Sequence, residues 1–132
     1  MNQIFVPVTL GSQTFVLAHR GASRAERENT VLAFRAAGDM GADGVELDVR
    51  LTADGHLVVH HDPRLEDGRD ICALQRSELP AHIPTMHEAL DACAGMWVNV
   101  EIKNDEREPD FDSTDVVAEV VAEAAAEDKP AE

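Results

Sequence analysis

Seven consecutive residues, Val45-Glu46-Leu47-Asp48-Val49-Arg50-Leu51, alternate strictly between apolar and charged side chains. That is the pattern of a β-strand with one buried face, formed here by Val45, Leu47 and Val49. The same period of two sets Glu46 and Asp48 side by side on the opposite face. Two carboxylates so placed make each other costlier to ionise unless a cation neutralises them. The pair therefore reads either as a solvated strand face or as part of an oxygen-ligand site for a divalent ion.

The rest of the chain is organised around this strand. Thr14–Ala18 is a short apolar run ending at His19-Arg20-Gly21, a buried strand that stops at a polar turn. After a charged loop from Ala22 to Asn29, Thr30 is placed to cap a helix through Val31, Leu32, Phe34 and Ala37, with Gly38 and Gly41 near its end. Ala53-Asp54-Gly55 is a turn and Leu57–His61 the next strand. Residues 63 to 82 are irregular, with one helical turn near Leu74 to Leu79. Thr85 caps a helix through Met86, Ala89, Leu90 and Cys93, which Gly95 ends. Met96–Lys103 is the last strand, and Asp115–Glu127 a helix with a narrow valine stripe. Strands alternating with helices predict an α/β architecture with about four strands, largely parallel.

Composition narrows the class of partner. The 132 residues carry 26 acids against 11 bases, a formal net charge of −15. A field of that sign disfavours nucleic acid and anionic membrane surfaces. No run approaches the roughly 20 apolar residues of a membrane span, and the first residues lack the pattern of a signal peptide. The expected location is the cytoplasm. Cys72 and Cys93 have the spacing of neither a redox pair nor a zinc knuckle and read as free thiols.

Two more polar groupings stand where an apolar core would not accept them unpaired. Glu101 and Lys103 share a face near the end of an apolar strand. They form either a surface ion pair or a third carboxylate for a cation site beside a phosphate-binding ammonium. His19 and His61 end two different strands, which suits paired acid–base work. His60, adjacent to His61 on a strand, should point to the opposite face. His56, His82 and His87 read as solvent-facing, Trp97 and Phe34 as core. Neither a glycine-rich phosphate loop nor a serine elbow is present. The residues alone point to a metal-assisted phosphoryl or carbonyl enzyme.

His19-Arg20-Gly21-Ala22, Glu28-Asn29-Thr30, Gly41–Val49, Leu57–Pro63, Ile83-Pro84-Thr85 and Val100-Glu101-Ile102-Lys103 occur in that order. Together, from about Phe15 to about Val121, they resemble the glycerophosphodiester phosphodiesterase family. The resemblance implies a TIM-barrel hydrolase that cleaves glycerophosphodiesters to glycerol 3-phosphate and an alcohol with a divalent cation, Mg²⁺ or Ca²⁺. By motif position, Glu46, Asp48 and Glu101 resemble the metal ligands. His19 and His61 resemble the acid–base pair, and Arg20 and Lys103 the groups that meet the phosphate. Arg24-Ala25-Glu26-Arg27 departs from the family by lacking a proline just before Glu28, and His60 stands where an apolar or aromatic residue is commoner.

A complete (β/α)8 barrel needs eight strands and about 250 residues. Residues 1–126 therefore correspond to the N-terminal half of such a domain, and 127–132 to a frayed acidic tail. Half a barrel leaves sheet edges unpaired. Either the chain is a truncated product, which is the expectation, or two copies pair as a homodimer. The alternative to an active hydrolase of small-molecule glycerophosphodiesters, without stable membrane insertion, is an inactive fragment or acidic interaction module that retains the motifs.

Overall fold

A computed structural model describes residues 5–10 and 13–127. Five strands form one sheet: β1 (Phe5–Leu10), β2 (Gln13–His19), β3 (Gly44–Leu51), β4 (Leu57–Val59) and β5 (Trp97–Ile102). Three helices, α1 (Val31–Asp39), α2 (Met86–Ala92) and α3 (Val116–Glu127), connect or follow them. The alternating segment is the centre of the sheet. On one edge β3 pairs in parallel with β2 (Leu17↔Gly44 to His19↔Glu46) and then, further along, antiparallel with β4 (Val49↔Val59 to Leu51↔Leu57). Its other edge pairs in parallel with β5 from Gly44↔Trp97 to Val49↔Ile102.

The two faces of β3 divide as its alternation requires. Val45, Leu47 and Val49 are fully buried, packed with Phe34 and Ala37 of α1, Met86 and Ala89 of α2, and Val117 and Val121 of α3. Burial of this kind is the main favourable contribution to folding, roughly 25 cal/mol per Å² of apolar surface removed from water. A second cluster, Val58, Leu65, Ile71, Leu74 and Ile83, packs the irregular segment against β4. Both expected caps are present: Thr30 accepts from the Ala33 N–H, and Thr85 and Glu88 form a reciprocal capping box.

Close approach is built in at Gly44, where a Cβ would lie 2.6 Å from both Leu17 and the Trp97 carbonyl. Only a glycine lets β2 and β5 flank β3 at this level.

Several expectations are corrected. The sheet has five strands, not four, because Phe5–Leu10 forms a hairpin with β2. Pro7 in that stretch argues against a central strand but is compatible with an edge. Two of the four pairings are antiparallel. The strand expected to run through His61 stops at Val59, so His60 and His61 are not bound to alternate faces. Trp97, expected in the core, is 63% exposed, because among the described residues β5 pairs with β3 alone and its other edge is open. Its ring stacks obliquely against Phe15, at 5.6 Å between centroids. The single helical turn expected near Leu74 is two short 3-10 turns, Ile71–Ala73 and Arg76–Glu78.

Phe34 is fully buried, Cys93 is buried, and both cysteines are free. Among the described residues no helix is long and apolar enough to cross a membrane. Of the tail expected to fray, residues 128–132 lie outside the described residues. The result is an α/β fold whose sheet is an open, incomplete (β/α)-barrel.

Candidate metal centre

The polar face of β3 and the end of β5 meet because their register is Glu46↔Asn99 and Asp48↔Glu101. Ligand oxygens of Glu46, Asp48 and Glu101 all lie within 4.8 Å of one another. Their exposures differ sharply: the Asp48 side chain is 0% exposed, Glu46 13% and Glu101 53%. The trio is thus a cup, walled by β3 and open at β5.

Basic and polar groups crowd Asp48. The Asn29 amide donates to its Oδ2 at 2.9 Å, Arg20 Nε stands 3.4 Å from the same oxygen, and Lys103 Nζ lies 3.8 Å from Oδ1. Arg20 is held in turn by Glu28 at 3.1 Å, and Lys103 by Glu101 at 3.1 Å. His19 Nε2 approaches Glu46 Oε1 at 3.7 Å. Arg20 and Asn29 adopt left-handed backbone conformations, φ 61° and 55°, which cost free energy for residues with a Cβ. Two backbone hydrogen bonds fix them, from the Arg20 N–H to the Glu46 carbonyl and from the Asn29 N–H to the Arg20 carbonyl.

The electrostatics follow from this packing. Burial, reinforced by the neighbouring Asp48 and Glu101 carboxyls, pushes the Glu46 carboxyl well above its ordinary range. Burial would raise Asp48 too. The hydrogen bond from Asn29 and the charge of Lys103 oppose it, and Asp48 is held below its ordinary range. Without a cation these directions favour a proton on Glu46 over one on Asp48.

Whether a metal suits these residues is answered by what is left unpaired. Both Glu46 oxygens and Asp48 Oδ1 are buried with no hydrogen-bond partner. Orphaned buried oxygens are costly, and three carboxylates converging from two strands are the donor set of a hard divalent cation. The cluster can coordinate such an ion, and its oxygens do not select between Mg²⁺ and Ca²⁺.

The expected acid–base partners are not brought together. His19 faces Glu46, whereas His61 turns its Nδ1 to Asp62 Oδ1 at 2.7 Å. No paired-histidine arrangement is evident among the described residues. His61 instead lines a cleft of about 270 Å³ that also includes Glu28, Asn29, His60 and His82.

Three residues important to the geometry had no role assigned from sequence: Asn29 and Glu28, which orient Asp48 and Arg20, and Arg50. The signal for Asn29 was an asparagine at a helix entrance, a residue type that tolerates left-handed φ. For Arg50 it was the alternation itself, which continues past Asp48 on the same face.

Comparison with known proteins identifies the family and the fold. The family model described as "Glycerophosphoryl diester phosphodiesterase family" matches residues 19–131. A glycerophosphodiester phosphodiesterase of Caldanaerobacter subterraneus is 39% identical over 112 residues, covering 70% of this chain and 46% of that protein. The crystal structure of a glycerophosphodiester phosphodiesterase from Thermotoga maritima is 38% identical, with a TM-score of 0.65 over 80% of this chain and 48% of its own. A phosphodiesterase from Oleispira antarctica, solved in complex with the product sn-glycerol-3-phosphate, is 31% identical with a TM-score of 0.69, over 84% of this chain and 49% of its own. The chain spans about half the length of these relatives.

Proposed function

The chain belongs to the glycerophosphoryl diester phosphodiesterase family, and we propose that it carries the metal- and phosphate-binding half of such a site without completing turnover by itself. The observation that carries this reading is the uneven cup: orphaned, buried oxygens on Glu46 and Asp48 against an exposed Glu101 on an open edge strand. Glu46, Asp48 and Glu101 would hold the divalent ion. When bound, such an ion supplies Lewis-acid stabilisation of charge on a phosphoryl oxygen. Arg20 and Lys103, now occupied by carboxylates, would turn to the phosphate of a glycerophosphodiester. His19 and His61 would move protons at the attacking glycerol hydroxyl and the leaving alkoxide. Two such groups must flank one phosphate for in-line displacement, and here they face separate carboxylates instead.

The reading of a retained but inactive site is therefore preferred over autonomous hydrolysis to glycerol 3-phosphate and an alcohol. Two assays on these 132 residues separate the two. Binding of glycerol 3-phosphate in saturating Mg²⁺ or Ca²⁺ is expected, weakened by Arg20→Ala or Lys103→Ala. Incubation with glycerophosphocholine is expected to give no metal-dependent product. Saturable, metal-dependent release of glycerol 3-phosphate that His61→Ala abolishes would establish full hydrolysis instead.

A further inference from the structure

Arg50 is 1% exposed, a cation enclosed at the mouth of β3 two residues beyond Asp48 and on the same face. A buried guanidinium demands partners, and neutralisation here comes from the segment after β5. Nη1 donates to Asp110 Oδ2 at 2.8 Å, and Nη2 to Glu108 Oε2 at 2.8 Å. Those two carboxylates already more than offset its single charge. Yet Nε and Nη2 both also donate to one neutral acceptor, the backbone carbonyl of His61, at 3.1 and 2.6 Å.

That expenditure of donors has a local consequence. A carbonyl gripped by two charged donors fixes the peptide plane between His61 and Asp62. Asp62 is 70% exposed, so its carboxylate has little besides the backbone to hold it against the imidazole. An ionised carboxylate only accepts, so the 2.7 Å contact puts the proton on His61 Nδ1 and leaves Nε2 to exchange protons.

We infer that Arg50 is a positioning residue: it sets the orientation and tautomer of His61 through the His61 carbonyl, and couples both to the Glu108–Asp110 segment. The inference rests on the acid–base role given to His61 above. It acts through another residue and needs no contact between Arg50 and substrate.

Long-range ¹H–¹⁵N spectra of the imidazoles, recorded above the pH of histidine titration, read the tautomer directly. Wild type is expected to show His61, assigned by its loss in His61→Ala, in the Nδ1–H form. Arg50→Lys keeps the charge between Glu108 and Asp110, but its donors radiate from one atom and cannot also span the carbonyl. Arg50→Met combined with Glu108→Gln and Asp110→Asn removes all three charges, so no unpaired ion is buried. Both are expected to keep the circular dichroism and the β3 and β5 amide spectrum of wild type while His61 loses its Nδ1–H signature. Folded variants that keep it would reduce Arg50 to a structural ion and overturn the inference, as would a wild type without that signature. Failure of the functional reading shows elsewhere, as wild-type protein that binds neither Mg²⁺ nor glycerol 3-phosphate while the tautomer still depends on Arg50.

Discussion

Strands β3 and β5 run side by side in register, and each carries a carboxylate of the cup, yet they are in opposite physical situations. β3 is paired along both edges and covered on its apolar face, so Asp48 and Arg50 are almost wholly enclosed. Among the described residues β5 pairs along one edge only, and Glu101 and Trp97 are more than half exposed. A charge on β3 must therefore be matched by specific partners in low dielectric, whereas one on β5 is matched largely by water. Geometry is stored on one side of the cup. The other side supplies a ligand without holding it.

The largest expected contrast is in stability. Arg50→Met leaves the partly buried Glu108 and Asp110 carboxylates without their shared cation and is expected to cost about 3 kcal/mol in chemical denaturation, the lower end for a broken buried pair. Glu101→Gln, on the open strand, should stay within about 0.5 kcal/mol of wild type. Equal effects would break the comparison.

Next comes pH. A carboxyl whose folded value is raised favours the protonated folded state, so its contribution is fully present below the unfolded value near 4.5 and lost as pH climbs toward the folded one. In metal-free buffer, wild type should lose stability relative to Glu46→Gln from pH 5 to 8, by at most about 1.4 kcal/mol per unit. Asp48, whose value is lowered, adds no loss in this window; its contribution fails only in acid. Saturating Mg²⁺ should flatten the difference. Parallel pH curves for the two proteins would contradict the assignment of the retained proton to Glu46.

Asn29→Ala removes the amide that orients Asp48 from behind. Divalent-ion affinity should fall roughly 10–100-fold by calorimetry, as for other partners that orient metal ligands. A modest effect is expected for Trp97→Ser. This exposed ring has one aromatic neighbour, and its loss should cost about 0.5–1.5 kcal/mol by thermal melting. A larger loss would mean that β5 is more enclosed than its open edge suggests.

How much of this was legible in the sequence follows the same division. The alternation of residues 45–51 displayed the central strand, its buried face and the paired carboxylates, since a period of two has one structural meaning. Thr30 and Thr85 announced two helix starts through local hydrogen bonding. What resisted reading depends on partners distant in sequence. That Trp97 is exposed reflects which strands flank β5, not the apolar residues around it. That His60 and His61 leave the sheet depends on where β4 stops pairing with β3, which a three-residue strand does not signal. Arg50 showed only as part of the alternation, because its partners Glu108 and Asp110 lie some sixty residues on. The trio Glu46, Asp48 and Glu101 was nameable from its motifs. Its lopsided enclosure was not, because exposure is a property of the sheet and not of any one segment.

The most direct test of a metal cup preformed on β3 is calorimetric titration of the chain with Mg²⁺ at pH 7, in two buffers of different ionisation enthalpy. One saturable site that releases a proton on binding, is lost in Asp48→Asn and is only weakened in Glu101→Gln is the expected result. Weak, unsaturable heats that are the same in Asp48→Asn as in wild type would contradict it.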